Sequence, residues 1–219
     1  KRLLRGKTPY MIIVFLVVGS VILVCHDLYP ISGSVPELVP SSLSSPSIIT
    51  VIESSADAHI RGGSYQAKNY GNSPIVEVKR TDNQSYLRRG LLEFDLIRAK
   101  ETDVKAYLNI YIEDVGSQSS RTVTLKKLAP TNWKENEVTF DNFLPIVDEV
   151  GTSFEVRKSD QYSWIRIDIS DLIDDESNSL LLMLEVTSEA NTQSHFKFRS
   201  REWPGFAPFI IFQRVLNIL

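Results

Sequence analysis

Basic side chains alternate with phenylalanine near the end of the chain, where HFKFRSR places Lys197 and Arg199 on one side of an extended segment. Guanidinium and ammonium groups pair with carboxylates, so these residues predict a surface that recognises a carboxylate-bearing ligand. Further bases that could join them from neighbouring strands are Arg61, Lys79, Arg88 and Arg89. The alternative partners for these bases are acids of the chain itself, namely Glu93, Asp95, Glu185 and Glu202.

Two tyrosines, Tyr107 and Tyr111, fall on the polar side of the alternating segment VKAYLNIYIED, with Asn109 between them. Rings spaced in this way predict a stacking platform, beside which Asn109 would supply a hydrogen bond. The alternative is that both rings pack beneath a loop.

Three oxygen-bearing side chains, Asp57, Asn69 and Asp95, offer ligands for a structural calcium ion. The sequence has no dense acidic calcium loop, and the alternative is that Asp57 and the Asn-Tyr-Gly loop at 69–71 make turn hydrogen bonds. No cofactor is predicted beyond this ion.

Side chains for nucleophilic catalysis are scarce after residue 48, where the histidines are His59 and His195 and cysteine is absent. The sequence contains no nucleophile elbow, no HExxH string and no phosphate-binding glycine loop. Asp174 and Asp175 lie in a Ser- and Asn-rich turn, where solvated charge is the ordinary role of such a pair. The sequence therefore predicts a protein that is not an enzyme, with a lyase using Tyr, His and Arg as the remaining alternative.

The charge balance argues against a nucleic-acid partner. The chain has 24 basic and 27 acidic residues, and four of these bases but only two of these acids precede residue 48. The rest of the chain is therefore net acidic, whereas nucleic-acid binding requires a net basic footprint.

An uncharged apolar run from Tyr10 to Cys25 predicts one transmembrane helix, which covers residues 10–29 with its interfacial flanks. Four bases lie within residues 1–9, so the positive-inside rule puts this flank in the cytoplasm and the residues after the helix outside the cell. The alternative is a cleaved signal peptide, which would make the protein secreted.

Residues 30–47, PISGSVPELVPSSLSSPS, predict an extended spacer because they are rich in Ser and Pro and show no helical or strand period. Residues 48–219 predict a folded domain, in which short apolar segments are separated by clusters of Gly, Asn, Ser and Asp.

Apolar and polar residues alternate in VKAYLNIYIED, SWIRIDIS and HFKFRSR, which predicts half-buried strands, whereas SLLLMLEV is apolar on both sides and predicts a strand covered on both faces. Further strands are predicted at Ile48–Ile52, Ile75–Lys79, Leu91–Leu96, Thr122–Leu128, Val138–Phe140 and Phe209–Phe212. A short helical turn is predicted at Ser170–Ile173, with Ser170 as its N-cap. Successive strands without crossover helices predict an all-β fold, an antiparallel β-sandwich of the jelly-roll type.

Six strings of the domain occur in the same order as the motifs of one known family. The first is SSADAHIRGGSYQAKNYGNSPIVEVK, which contains Asp57 and the loop residues Asn69, Tyr70 and Gly71. The others are GLLEFDL, YLNIYI, APTNWKENEVTFDNFLP, WIRIDISDLI and FRSREWPGFAPFIIF. Together they resemble the DNRLRE domain, also classed as carbohydrate-binding module family 96.

This resemblance implies a jelly-roll module that binds polysaccharide, with alginate-like acidic chains among the family's ligands. The sequence thus predicts a non-catalytic cell-surface module that binds an acidic polysaccharide through the bases and tyrosines named above. One alternative is an adhesive stalk domain that contacts other surface proteins or matrix. A polysaccharide-degrading enzyme, dependent on His195 or Tyr111, is the other.

Overall fold

The computed structural model describes residues 14–17, 20–23, 47–96, 105–129, 132–145, 147–174, 177–187 and 194–215. The chain divides into two compact units, Lys1–Leu43 and Ser44–Leu219. The predicted cytoplasmic flank at 1–9 and all but the last residue of the predicted spacer at 30–47 lie outside the described residues.

The first unit contains two short strands, β1 (Val14–Val17) and β2 (Ser20–Leu23), which pair antiparallel with Val14 opposite Leu23. The described part of the predicted transmembrane helix at 10–29 is therefore strand, which corrects that prediction. A continuous apolar run carries no period that separates helix from strand, and this one is rich in β-branched residues. Within the described ranges, no helix is both long enough and apolar enough to cross a membrane.

The second unit consists of antiparallel strands joined by turns and loops. Its strands are β3 (Ser47–Glu53), β4 (Ala56–Arg61), β5 (Ile75–Lys79), β6 (Arg88–Asp95), β7 (Lys105–Val115), β8 (Ser120–Leu128), β9 (Val147–Arg157), β10 (Ser163–Asp168), β11 (Ser179–Val186), β12 (His195–Arg199) and β13 (Phe209–Val215). Short 3-10 turns occur at Gly63–Tyr65, Gln84–Tyr86, Lys158–Asp160 and Ser170–Leu172. This architecture confirms the predicted all-β antiparallel class, while the jelly-roll connectivity stays a prediction.

The strands form one curled sheet with two halves. The path runs β3-β13-β7-β12-β5 in the first half and β6-β11-β8-β9 in the second, with β10 paired to β7 and β4 paired to β6. The junction between β5 and β6 consists of one residue pair, Lys79 opposite Arg88. Because the sheet curls there, the apolar faces of both halves meet in one core.

The main core contains fully buried residues from both halves, such as Ile110 on β7, Phe198 on β12, Phe94 on β6 and Leu184 on β11. On β12 the polar neighbours of Phe198, Lys197 and Arg199, lie on the opposite face of the strand from the core, as the alternation in this segment predicts. Burial of this many aliphatic and aromatic side chains is the main stabilising contribution to the fold.

A second, smaller core lies on the outer side of the second half, where residues 132–145 pack over β11. Leu181 and Met183 on β11 contact Val138 and Phe143 of this covering segment, which confirms that β11 is buried on both faces. The predicted strand at Val138–Phe140 is wrong, since Val138 and Thr139 have no regular secondary structure and Phe140 begins a turn.

One strand was not predicted, and one predicted helix cap is corrected. Strand β9, which pairs with β8 from Arg157 opposite Ser120 onward, was not predicted, because Gly151 interrupts its apolar alternation. The predicted turn at Ser170 is confirmed, but Ser170 is not its N-cap; Asp168 Oδ1 accepts the Ser170 N–H at 3.0 Å.

Candidate functional site

Four bases stand side by side on four adjacent strands, and we call them the cationic row: Arg61, Arg88, Lys79 and His195. In the strand register Arg61 lies opposite Arg88, Arg88 opposite Lys79, and Lys79 opposite His195. Residues directly opposite each other on paired strands share one face of the sheet. The row therefore crosses β4, β6, β5 and β12, a length of about 14 Å at the usual spacing of strands.

Two exposed tyrosines border the cationic row. The guanidinium carbon of Arg61 lies 3.7 Å from the ring centre of Tyr65, and Lys79 Nζ lies 5.7 Å from that of Tyr86. Tyr65 and Tyr86 end the two 3-10 turns that flank the row, and their side chains are 43% and 48% exposed. A hydrogen bond from Gly62 N–H to the Leu87 carbonyl oxygen joins the ends of these turns.

Positive charge in the row exceeds the negative charge beside it. Arg88 forms an ion pair with Glu77. No carboxylate among the described residues lies within ion-pair distance of Arg61 or Lys79. Burial and then the charges of Arg61 and Lys197 lower the pKa of Lys79, which shows how closely these cations are crowded.

The row also contains a histidine, whose charge depends on pH. His195 Nε2 lies 3.2 Å from Asp114 Oδ2. Burial lowers the pKa of His195 below its ordinary 6.5, although Asp114 acts in the opposite direction. At pH 7 this histidine is therefore mainly neutral.

Lys197 and Arg199, on the same strand as His195, are paired with acids of β7. Lys197 Nζ lies 3.0 Å from Asp114 Oδ2, and Arg199 Nε lies 2.7 Å from Glu113 Oε2. Pairing within the chain thus occurs as the sequence alternative anticipates, but with acids other than those named. Arg89 does pair with one of those acids, Glu185, at 2.5 Å.

Tyr111 belongs to an aromatic cluster at the other end of this face. Its ring centre lies 5.6 Å from that of Trp164 and 4.6 Å from that of Phe206, and the guanidinium of Arg199 lies over both Tyr111 and Phe206. The Tyr111 hydroxyl donates to the Tyr162 carbonyl oxygen at 2.9 Å. Trp164, 41% exposed, is more open to solvent than the half-buried Tyr111.

Tyr107 does not share this cluster. The guanidinium carbon of Arg166 lies 3.6 Å from the Tyr107 ring centre and covers the ring. Asn109, between the two tyrosines, is buried and donates to the Tyr107 carbonyl oxygen at 2.9 Å. Its amide is therefore used by the backbone.

Three carboxylates from distant parts of the chain form a second cluster, the acidic triad of Asp57, Glu135 and Glu202. One oxygen of each lies within 4.8 Å of the others. Asp57 on β4 is fully buried, whereas Glu135 and Glu202 lie in loops and are partly exposed. The triad includes one predicted calcium ligand, Asp57, and two residues that are not in the predicted ligand set.

The other predicted calcium ligands lie elsewhere or have other roles. Asn69 Nδ2 donates to the carbonyl oxygens of Glu135 and Val138 at 2.7 and 2.8 Å, and its Oδ1 accepts the Gly71 N–H. Asn69 thus makes the turn hydrogen bonds that the alternative interpretation anticipates. Asp95 is exposed at the end of β6 and is not part of the triad.

Burial dominates the electrostatics of Asp57. It raises the pKa of this carboxyl to about 7, with smaller increases from Glu202 and Glu135 and an opposing decrease from the Arg201 backbone N–H. That N–H donates to Asp57 Oδ2 at 2.8 Å, and the Glu135 carboxylate accepts from the Asp57 N–H at 2.7 Å.

Tyr65 and Tyr86 are the site residues that the sequence analysis missed. Both lie in turns, where no alternation marks which way a side chain points. A signal does exist, because each ends a Ser-Tyr pair a few residues from a base of the row. An aromatic residue in a turn, a few residues from a base at the end of a strand, is therefore a sequence pattern that indicates a candidate binding residue.

This antiparallel sandwich-like domain combines cations with exposed aromatic rings on its surface, and such groups can contact the carboxylates and apolar ring faces of sugars. A family model described as carbohydrate-binding module family 96 matches residues 48–213, from β3 to β13. The chain therefore belongs to this family, as its motifs predict. No curated protein matches the chain.

Proposed function

We propose that this module is non-catalytic and binds an acidic, alginate-like polysaccharide along the cationic row. The observation that carries the proposal is the register of Arg61, Arg88, Lys79 and His195 across four strands. At pH 7 the row presents three cations, Arg61, Arg88 and Lys79, and a linear array of cations suits a polymer with carboxylates at regular intervals better than it suits a single small anion.

Arg61 and Lys79, which have no carboxylate partner among the described residues, are the proposed anchors. Arg61 and Lys79 each stand beside an exposed tyrosine. Because the Arg61 guanidinium lies directly over the Tyr65 ring, a uronic acid would stack its apolar ring face on Tyr86 and place its carboxylate on Lys79. Binding a polyanion would also relieve the repulsion between these cations.

Lys197 and Arg199 are not proposed as the main contacts to the polysaccharide. Both already pair with acids of β7, and the Arg199 side chain is only 14% exposed. We therefore assign them to the edge of the binding face, where Arg199 fixes the aromatic cluster around Tyr111. Trp164 in this cluster offers a further ring for stacking.

Binding to a glycan array at low and high salt tests the proposal, with release of unsaturated or reducing products assayed in parallel. Arg61→Ala and Lys79→Ala should each weaken binding to acidic glycans about tenfold, since each removes one charge-assisted contact. Lys134→Ala is the matched control, because Lys134 is an exposed base that pairs with Glu137 in another part of the domain.

Retention on acidic but not neutral glycans, weakened by salt and by the two row variants, would support the proposal. Product release that depends on His195 or Tyr111 would favour an enzyme instead. The adhesive stalk is favoured by one observation, the exposed Ile49 and Val51 on edge strand β3. Self-association that is independent of salt, without glycan retention, would support that function.

We also propose an extracellular location, which rests on the basic flank at 1–9 and the apolar run that follows it, a pattern typical of a secretory signal segment. Protease treatment of intact cells that express the chain tests this location. Cleavage of the domain from outside would support it, and protection until lysis would contradict it.

A further inference from the structure

The acidic triad has too little positive charge around it. The Arg201 guanidinium is the neighbouring cation, with Nη1 2.7 Å from Glu135 Oε2 and 3.8 Å from Glu202 Oε1. One positive charge against three carboxylates leaves a deficit of two charges when all three are ionised. A divalent cation would supply that difference.

Two carboxylate oxygens of the triad point to the same conclusion independently. Asp57 Oδ1 and Glu202 Oε2 are buried, and neither has a hydrogen-bond partner among the described residues. Asp57 is 0% exposed, so bulk solvent does not reach its free oxygen. Leaving a buried carboxylate oxygen unpaired is costly, so a ligand for these atoms is expected.

The donor set selects the kind of cation. All the side-chain donors are carboxylate oxygens, which are ligands for hard cations such as Ca²⁺ and unsuited to soft metals. Ca²⁺ accepts irregular geometry and mixed coordination, whereas Mg²⁺ demands near-ideal octahedral positions. A site made from one strand and two loops is more easily adapted to Ca²⁺.

We propose that Asp57, Glu135 and Glu202 bind one Ca²⁺ ion, which ties β4 to the 132–145 segment and to the loop after β12. The raised pKa of Asp57 is consistent with a carboxylate that lacks its counter-ion. The ion would have a structural role, because the triad and the cationic row consist of different residues.

Calcium titration of the full-length chain after treatment with EDTA tests this site. Isothermal calorimetry should show one Ca²⁺ per chain. Ca²⁺ at about 100 times its Kd should raise the Tm by roughly 5–10 °C at neutral pH. Mg²⁺ at the same concentration should produce a smaller shift.

Glu202→Gln and Asp57→Asn should abolish the Tm response to Ca²⁺, and the loop variant Glu202→Gln keeps the test valid if the buried variant fails to fold. Glu137→Gln is the matched control, since Glu137 is an exposed acid two residues from Glu135 and lies outside the triad. It should retain the full response.

Three results would overturn the proposal. The first is a wild-type chain that binds no Ca²⁺ and keeps its Tm in EDTA. The second is an undiminished calcium response in a folded triad variant. The third is a Tm that rises as the pH falls below 7 without any response to Ca²⁺, which would show that a proton neutralises Asp57.

Discussion

His195 gives the cationic row a charge that depends on pH. Its pKa is lowered by burial, so it is mainly neutral at pH 7 and gains its proton only on acidification. Protonation would add a charge to the row beside Lys79, its partner in the register. The direction is fixed: a more acidic solution makes the row more positive.

We therefore predict that affinity for an acidic polysaccharide rises as the pH is lowered below 6.5, the ordinary pKa of histidine. The same measurement on His195→Gln should give a smaller rise, because glutamine does not titrate. Calorimetry at several pH values, with ionic strength held constant, measures the difference. Parallel pH profiles for the two proteins would contradict this role of His195.

At the scale of the elements, the loop at 69–71 controls the position of Glu135. Its turn packs so closely against residues 135–138 that a Cβ on Gly71 would lie 2.0 Å from the Glu135 carbonyl oxygen. Asn69 donates to the same carbonyl oxygen. The loop therefore sets where the 132–145 segment sits over β11.

Gly71→Ala should lower the free energy of unfolding by about 3 kcal/mol, because two backbone segments must separate to admit the methyl group. Urea denaturation monitored by circular dichroism measures this loss. Gly205→Ala is the control: its φ is +78° and nothing lies within 4 Å of the added Cβ, so conformational strain alone should cost about 1 kcal/mol. Equal losses in both variants would contradict the close packing at Gly71.

The elements also show what the sequence could predict. Strands β7 and β12 follow from alternation because one face of each is core, and β11 follows from its run of apolar residues. Strand β9 does not follow from the sequence, because Gly151 interrupts its apolar alternation. Val138 and Phe140 resemble strand residues in the sequence because they are apolar, but they are apolar since they pack against the smaller core from a loop.

The same limit applies to the binding face. Arg61, Lys79 and Arg88 were named from residue type, but their alignment in one row depends on strand register, which the sequence does not specify. The triad was missed for a similar reason. Its residues are 57, 135 and 202 in the chain, and each lies in one of the strings that resemble the family.

At the scale of the whole molecule, the two cores share their strands. On β6, Leu91 faces the smaller core and Leu92 the main one; on β11, Leu181 and Leu182 are divided in the same way. Neither core can lose its packing without disturbing these two strands. The domain is therefore one cooperative unit in spite of its two halves.

We predict that both cores unfold together in urea. Trp133 packs against the smaller core, whereas Trp164 and Trp203 lie on the other half. Trp133→Phe leaves Trp164 and Trp203 as the fluorescent residues, and the double variant Trp164→Phe with Trp203→Phe leaves Trp133. In each variant the urea midpoint measured by fluorescence should equal the midpoint measured by circular dichroism. A fluorescence transition that precedes the circular dichroism transition in one variant would contradict cooperativity.

The junction between β5 and β6, which has one residue pair, also determines how the domain would respond to a pulling force. The strands have few backbone hydrogen bonds there, and the ion pair between Arg88 on β6 and Glu77 on β5 offsets the repulsion between the facing charges of Lys79 and Arg88. A polymer bound along the cationic row would contact both sides of this junction and hold β5 and β6 together. A domain that tethers a cell to a matrix would then be mechanically strongest while it holds its ligand.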